Sequence, residues 1–112
     1  MPSVLDLEVL NELVDIMGDD MAMLLNSYFA DSQTKLDELA KMDWRTEQEA
    51  IFRMVHALKG SSRNVGVVGF SDMCEDIESL ARASNLTQED FDLTRLNQLF
   101  QVACAELKAR YL

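Results

Sequence analysis

Apolar residues recur about every three to four positions along almost the whole chain, which is the spacing of amphipathic α-helices. Short polar stretches interrupt the pattern, and the segments between them predict five helices. The first helix is expected to bury Leu5, Val9, Leu10, Leu13 and Ile16. The expected ranges are 4–17, from Asp19 or Asp20 to 42, from Thr46 to 65, 70–83 and 89–110.

Residues with capping tendencies stand at several of the predicted helix ends. Ser3 is expected to cap the first helix and Gly18 to end it. Asp19 or Asp20 is expected to cap the second helix in the same way. Thr46 followed by Glu49 fits a capping box, in which the two side chains satisfy each other's backbone N–H groups at the start of the third helix.

Helices of this length joined by short corners predict an all-α protein. The economical way to bury their apolar faces is an antiparallel up-down four-helix bundle, with the first helix as a short addition at the N-terminus. The length of 112 residues predicts a single domain over 1–112, and one proline and four glycines leave little to interrupt helices.

Charge and composition narrow the classes of function. The net charge of −10 argues against nucleic acid and anionic membranes as partners, because both would repel the chain. No apolar run approaches the roughly 20 residues that a membrane-spanning helix needs, and we expect no signal peptide. Two cysteines, Cys74 and Cys104, lie on apolar stripes and are expected to be buried, reduced thiols. We therefore expect a cytoplasmic protein.

The chain's single histidine, His56, does not follow the apolar pattern of its own helix. At about 100° per residue, it points away from the arc formed by its apolar neighbours. No acidic residue lies between Glu49 and Asp72, whereas Arg53, Lys59 and Arg63 do. Cations one helical turn from an imidazole would stabilise a phosphoryl group bound to it. The alternative is a chance gap in a solvated helix face.

Two further residues of this helix favour a functional surface. Glycine in a helix interior costs about 1 kcal/mol relative to alanine, so Gly60 requires a reason. Its missing side chain would open the approach to His56; alternatively, it would let a neighbouring helix come close. Phe52 lies on the same face, where it would be an apolar anchor for a docking partner or a partly buried residue at the rim of the core.

The sequence resembles the histidine phosphotransfer (HPt) domain of bacterial phosphorelays. The residues that carry this resemblance are His56-Ala57-Leu58-Lys59-Gly60-Ser61-Ser62, Gly66, Cys74, Ile77-Glu78, Asp43-Trp44 and Phe29.

The resemblance implies a stand-alone phosphocarrier without ATP-dependent kinase activity. His56 would accept a phosphoryl group from a receiver-domain aspartate and pass it to another receiver, with Lys59 contacting the phosphoryl oxygens. Arg53 and Arg63 would be weaker contributors, forming salt bridges to a receiver surface. The partners would be receiver domains of a hybrid sensor kinase or a response regulator. We expect a monomer without a metal site or cofactor, with Mg²⁺ held by the receiver.

Ser61 and Ser62 are expected to turn toward the bundle as small packing residues.

Two other functions are alternatives to the phosphocarrier. A different class of function is a receiver-docking or adaptor bundle in which His56 is never phosphorylated, although such a module would need neither His56 nor Lys59. A dimeric histidine-kinase hairpin would have an acidic residue directly after the histidine, and Ala57 stands there instead.

Overall fold

The structure, a computed structural model, describes residues 4–112 and is all-helical there, as predicted, apart from one isolated antiparallel bridge between Leu5 and Val67. A 3₁₀ turn at Gly18–Asp20 joins the first two helices. No helix of the described chain combines the length and apolarity that crossing a bilayer requires. The helices are α1 (Leu7–Met17), α2 (Met21–Leu39), α3 (Gln48–Asn64), α4 (Gly69–Arg82) and α5 (Leu93–Tyr111).

The four longer helices enclose one core. Helix α3 packs against α2 and, most extensively, against α4, while α5 packs against α2 and α4 and so completes a helical bundle. The largest side chains with almost no exposed surface include Leu25, Leu36, Leu58, Phe70 and Phe100. Burying a side chain of this size contributes roughly 1.5–3 kcal/mol, so the predicted apolar stripes supply the main stabilisation.

The start of α1 differs from the prediction. The helix begins at Leu7, and the Asp6 carboxylate caps it by accepting hydrogen bonds from the N–H groups of Glu8 and Val9. Ser3, the expected cap, lies outside the described residues. The chain before Asp6 pairs with the segment after α3, because the Val68 N–H donates to the Val4 carbonyl over 3.0 Å. Pairing with a distant segment therefore replaces the first turn of the predicted helix.

One predicted core residue of α1 is on the surface. Ile16 is 79% exposed, and the only residue of α1 that is fully buried is Leu10. The prediction for Ile16 was wrong because α1 is short and packs mainly against α2 and the 3₁₀ turn, which leaves much of its surface uncovered. Gly18 does end α1, as predicted, with a φ of 52°.

The predicted starts of α2 and α3 were also wrong in detail. The 3₁₀ turn leads directly into α2, and neither Asp19 nor Asp20 caps it with a side chain. Helix α2 ends at Leu39 rather than at 42. The Thr46–Glu49 capping box does not form, because the Thr46 N–H donates instead to the Asp43 carbonyl over 3.2 Å in a turn that precedes Gln48.

Helix α5 begins at Leu93, later than the predicted 89. A polar turn occupies the intervening residues, where the Thr87 hydroxyl donates to the Asp90 carboxylate over 2.8 Å. The Asp92 carboxylate then caps α5 by accepting from the Arg95 N–H over 3.0 Å. Local side-chain hydrogen bonds of this kind compete with the helix and delay its start.

Both cysteines are buried and free of disulfide bonds, as predicted. Burial raises the pKa of the Cys74 thiol to about 12 and that of the Cys104 thiol to about 11. Both thiols are therefore protonated at neutral pH and serve as small apolar packing groups.

Candidate functional site

Helix α3 presents His56 to solvent, as its apolar pattern predicts. Ile51, Val55 and Leu58 of this helix are completely buried, which fixes the rotation of α3 in the bundle. With that face turned inward, 61% of the His56 side chain is exposed. An imidazole with this exposure is open to a reactant that approaches from solvent.

A buried carboxylate on α4 holds the inner edge of the imidazole. Glu78 is 2% exposed, and its Oε1 contacts Nδ1 of His56 while its Oε2 accepts a hydrogen bond from Nζ of Lys59. Burial alone would raise the pKa of Glu78, but the hydrogen bonds from Lys59 and His56 outweigh it and hold the pKa below its ordinary value. Glu78 is therefore ionised at neutral pH.

The ionised carboxylate decides which imidazole nitrogen carries the proton. A carboxylate only accepts hydrogen bonds, so Nδ1 of a neutral His56 must be the donor in this contact. The lone pair then resides on Nε2, the nitrogen farther from the backbone. A carboxylate that orients a neutral imidazole in this way leaves the outer nitrogen as the nucleophile.

Lys59 reaches the same site through the shared carboxylate. Its side chain is 16% exposed and its ammonium group pairs with Glu78. The structure therefore brings His56 and Lys59 together on one carboxyl group, as their spacing of three residues on α3 allows.

The two predicted arginines are not part of this contact. Arg53 pairs with Glu49 of its own helix over 2.8 Å, and Arg63 pairs with Glu75 of α4 over 2.9 Å. Among the described residues, the charged group in contact with the imidazole is the Glu78 carboxylate. The three cations near His56 on α3 are all engaged in ion pairs: Lys59 and Arg63 pair with acidic residues of α4, and Arg53 pairs within its own helix.

Gly60 leaves open space above α3. A Cβ atom built there meets nothing within 4 Å beyond its chain neighbours and its own helix backbone, and the residue is exposed. The alternative that Gly60 admits a neighbouring helix is therefore wrong for the described chain, while the predicted open approach on this face is present.

The two serines that follow Gly60 behave differently. Ser62 is buried and shares a 2.7 Å hydrogen bond with the Tyr28 hydroxyl, as a packing residue should. Ser61 is exposed, and its hydroxyl donates to the Leu58 carbonyl over 3.3 Å. The prediction that Ser61 faces the bundle was wrong, because its hydroxyl bonds back to its own helix.

Phe52 is half-buried at the edge of the core, which matches the second of its two predicted alternatives. Its ring stacks on the imidazole, with centroids 6.0 Å apart and planes inclined by 27°. The guanidinium carbon of Arg82 lies 5.0 Å from the centroid of the same phenyl ring.

Sequence reasoning missed the roles of Glu78 and Arg82 in the site. Glu78 had been noted only as part of a motif, yet it stands four residues after Cys74 and three before Ala81, both buried. An acidic residue in the apolar stripe of a helix is the signal that could have identified it, because buried charges require partners. Arg82 gives no such signal in the sequence. Its side chain is 66% exposed, and a charged residue on the polar face of a helix is ordinary. No cluster that could hold a metal ion occurs within residues 4–112.

Comparisons with known proteins agree with this geometry. The model of the Hpt domain family matches residues 23–109. The fold is similar to the crystal structure of histidine-containing phosphotransfer protein B (HptB) from Pseudomonas aeruginosa PAO1. The TM-score is 0.88 and the sequence identity 26%, over 97% of this chain and 95% of that chain. A search of curated protein sequences gives no significant match.

Proposed function

This chain belongs to the Hpt domain family, and from that premise we propose that it carries phosphoryl groups between receiver domains of a phosphorelay. His56 accepts the group from a receiver-domain aspartate and passes it to another receiver. The observation that carries the proposal is the exposed imidazole whose Nδ1 contacts the buried Glu78 carboxylate. That contact leaves Nε2 as the reactive atom.

The transfer step balances without a further reactant. The Nε2 lone pair attacks the phosphorus of the aspartyl phosphate, an N–P bond forms, and the P–O bond to the aspartate breaks. The aspartate leaves as a carboxylate, and the imidazole keeps its proton on Nδ1 and becomes cationic. Glu78 then accepts a charge-assisted hydrogen bond from the cationic ring, which strengthens as the N–P bond forms. The reverse transfer follows the same path.

Positioning and charge neutralisation supply most of the catalysis in such a step. In our proposal the Lys59 ammonium, held beside the ring by Glu78, turns part of its hydrogen bonding toward the phosphoryl oxygens. Gly60 provides room for the receiver, and Phe52, Arg53 and Arg63 lie on the surface that it contacts. Mg²⁺ belongs to the receiver in this scheme.

The proposal extends to the helix topology, the oligomeric state and the location of the protein. We propose that α2 to α5 run alternately up and down, which the short connections and the contact between α2 and α5 support. We further propose a monomer, because this bundle already encloses its own core, and a cytoplasmic location, where receiver domains of a hybrid kinase or a response regulator would be its partners.

The decisive experiment is transfer from an isolated receiver domain that carries a labelled aspartyl phosphate. We expect label to appear on this chain as an acid-labile, base-stable adduct, as phosphohistidine requires. His56→Gln should abolish the transfer, while the midpoint of thermal unfolding should fall by no more than about 4 °C, because the side chain is mostly exposed and Lys59 still pairs with Glu78. Ser61→Ala, an exposed change on the same helix, is the matched control and should retain transfer.

The same experiment separates the alternative. An adaptor bundle would bind receivers without taking the label. Binding with equal affinity by wild-type protein and His56→Gln, with all label left on the receiver, would therefore contradict the phosphocarrier proposal.

A further inference from the structure

Besides Lys59, two side chains contact the pair formed by His56 and Glu78: Phe52 contacts His56, and Arg82 contacts Glu78. Phe52 stands four residues before His56 on α3, so the two rings share one helix face, and they stack with a centroid separation of 6.0 Å. The phenyl ring also packs against the core, whereas the imidazole is mostly exposed. Phe52 therefore gives the exposed imidazole a packed surface to lie on.

Arg82 connects this stack to the buried carboxylate. Its guanidinium carbon lies 5.0 Å from the centroid of the Phe52 ring. Its Nη2 lies 3.6 Å from Oε1 of Glu78, the same oxygen that contacts Nδ1 of His56. Four side chains from two helices thus form a closed loop of contacts, which we call the imidazole loop: His56, Phe52, Arg82 and Glu78.

The loop restricts a motion that one hydrogen bond leaves free. The contact with Glu78 fixes the position of Nδ1, but the ring could still swing about that contact and carry Nε2 out of line. A stacked phenyl ring restrains the plane of the imidazole as well. Because transfer requires the nitrogen, the phosphorus and the leaving oxygen in line, restraint of this plane affects the rate of the chemical step.

On the basis of the proposed function, we infer that Phe52 and Arg82 are positioning residues for phosphoryl transfer to His56. Phe52 restrains the ring plane directly. Arg82 acts through Phe52, by a cation–π contact, and through Glu78, by its ion pair. This assignment differs from a docking anchor, because a positioning residue affects the reaction even when no receiver is present.

The test uses phosphoramidate, a small donor whose N–P bond breaks and releases ammonia as the Nε2–P bond forms. Docking of a receiver does not contribute to this reaction. We expect Phe52→Leu, which keeps an apolar side chain but loses the ring, to lower the second-order rate of phosphorylation roughly tenfold. Phe52→Tyr, which keeps the ring, should restore most of that rate. Arg82→Gln should lower it roughly threefold, since Phe52 and Glu78 both remain.

Phe29 provides a matched control. It is also a partly buried phenylalanine with a cation over its ring, since Nζ of Lys108 lies 5.3 Å from the centroid, but it stands on α2 and lacks a ring contact with His56. Phe29→Leu should therefore lose similar packing while its phosphoramidate rate stays within about twofold of wild type.

A spectroscopic signal reports the stack separately from the rate. Because the chain has one histidine, its imidazole C–H protons can be followed without overlap by NMR. Their ring-current shift should disappear in Phe52→Leu and persist in Phe52→Tyr, Arg82→Gln and Phe29→Leu. Circular dichroism at the assay temperature identifies folded variants, and Arg82→Gln, an exposed substitution, tests the inference even if Phe52→Leu unfolds.

The outcomes are distinguishable. A phosphoramidate rate in Phe52→Leu or Arg82→Gln equal to that of wild type would overturn the inference; if transfer from a receiver then fell through a raised KM, Phe52 would be a docking residue instead. Wild-type protein that takes a phosphoryl group neither from phosphoramidate nor from a phosphorylated receiver would contradict the phosphoacceptor role of His56 itself.

Discussion

Glu78 shows how a single residue couples folding to the site. It is the one charged side chain in the buried core of residues 4–112. Moving a carboxylate out of water costs several kcal/mol unless it is paired and hydrogen-bonded. The partners that offset this cost are His56 and Lys59, so the folded state selects the arrangement in which both reach the carboxylate. The requirements of stability and of chemistry are met by the same contacts.

Gly60 separates the requirements of folding from those of docking. Space for a side chain exists there, so Gly60→Ala should stabilise the protein by up to about 1 kcal/mol through helix propensity alone. Gly60→Leu should fold equally well, yet it should slow transfer from a receiver roughly ten- to hundredfold, because the side chain would hold the donor away from Nε2. Stopped-flow transfer kinetics and urea unfolding measure the two effects.

Gly69→Leu is the control for this change. Gly69 also has open space around its Cα, but it lies about 13 Å along α4 from Glu78. The rate of transfer from a receiver to Gly69→Leu should therefore stay within about twofold of the wild-type rate. If Gly60→Leu transferred as fast as wild type, the open surface beside His56 would not be needed by the receiver.

At the scale of the elements, α3 and α4 form one complementary pair. Two of the three basic residues of α3 face acidic residues of α4: Arg63 lies near Asp72 and Glu75, and Lys59 lies at Glu78. The exposed pairs contribute at most about 1 kcal/mol each, whereas a buried pair costs more to break than it contributes. The register of the two helices therefore depends most on Glu78.

Glu78→Gln should lower the free energy of unfolding by about 1–3 kcal/mol at pH 7, because the amide leaves the partly buried Lys59 ammonium without its counter-charge. Glu75→Gln removes one partner of the exposed pair with Arg63 and should cost less than about 0.5 kcal/mol. Urea unfolding followed by circular dichroism checks both values. Equal losses in the two variants would contradict a special role for the buried carboxylate.

The pH dependence of this difference follows from the sign of the pKa shift. Folding lowers the pKa of Glu78 from its ordinary 4.5, so the unfolded chain binds more protons in the interval between the two values. Stability from this group is therefore complete above pH 4.5 and is lost as the pH falls through the folded pKa. The difference in free energy of unfolding between wild type and Glu78→Gln should therefore become smaller as the pH falls into the acid range. A difference that grew in acid would contradict this direction of the pKa shift.

Helix existence was predictable from the sequence, and helix starts were much less so. Burial of one face imposes a period of about 3.6 residues on every helix, and that signal spans many residues. A helix start instead depends on which donor finds which acceptor. At Thr46 the backbone N–H bonds to the Asp43 carbonyl, and near α5 the Thr87–Asp90 turn forms first. Several arrangements satisfy the same residue types, so the sequence alone does not select among them.

At the scale of the whole molecule, the same limit applies to the site. The outward direction of His56 was predictable because it depends on one helix. The ion-pair partners of Lys59 and of Arg63 were not predictable. These partners, Glu78 and Glu75, lie on α4, and the register between two helices is a property of the assembled bundle.

The N-terminal segment tests how far the site depends on the rest of the molecule. Gly66 has a φ of +72°, its carbonyl accepts a 2.7 Å hydrogen bond from the Asp6 N–H, and a Cβ there would lie 2.9 Å from both the Asp6 carbonyl oxygen and Leu10 Cγ. Gly66→Ala should therefore cost about 2–4 kcal/mol, from left-handed strain and from displacement of this segment.

Gly18→Ala is a comparison in which only backbone strain acts, because Gly18 has a φ of +52° and a ψ of −123° with open space around it, and it should cost about 1–3 kcal/mol. Gly66→Ala adds a steric clash with the N-terminal segment to its backbone strain. Since His56, Glu78 and Lys59 lie on α3 and α4 and contact one another directly, the phosphoramidate rate of folded Gly66→Ala should stay within about twofold of wild type. A large loss of rate would mean that the N-terminal contact sets the register of these two helices, and that the site depends on the whole bundle.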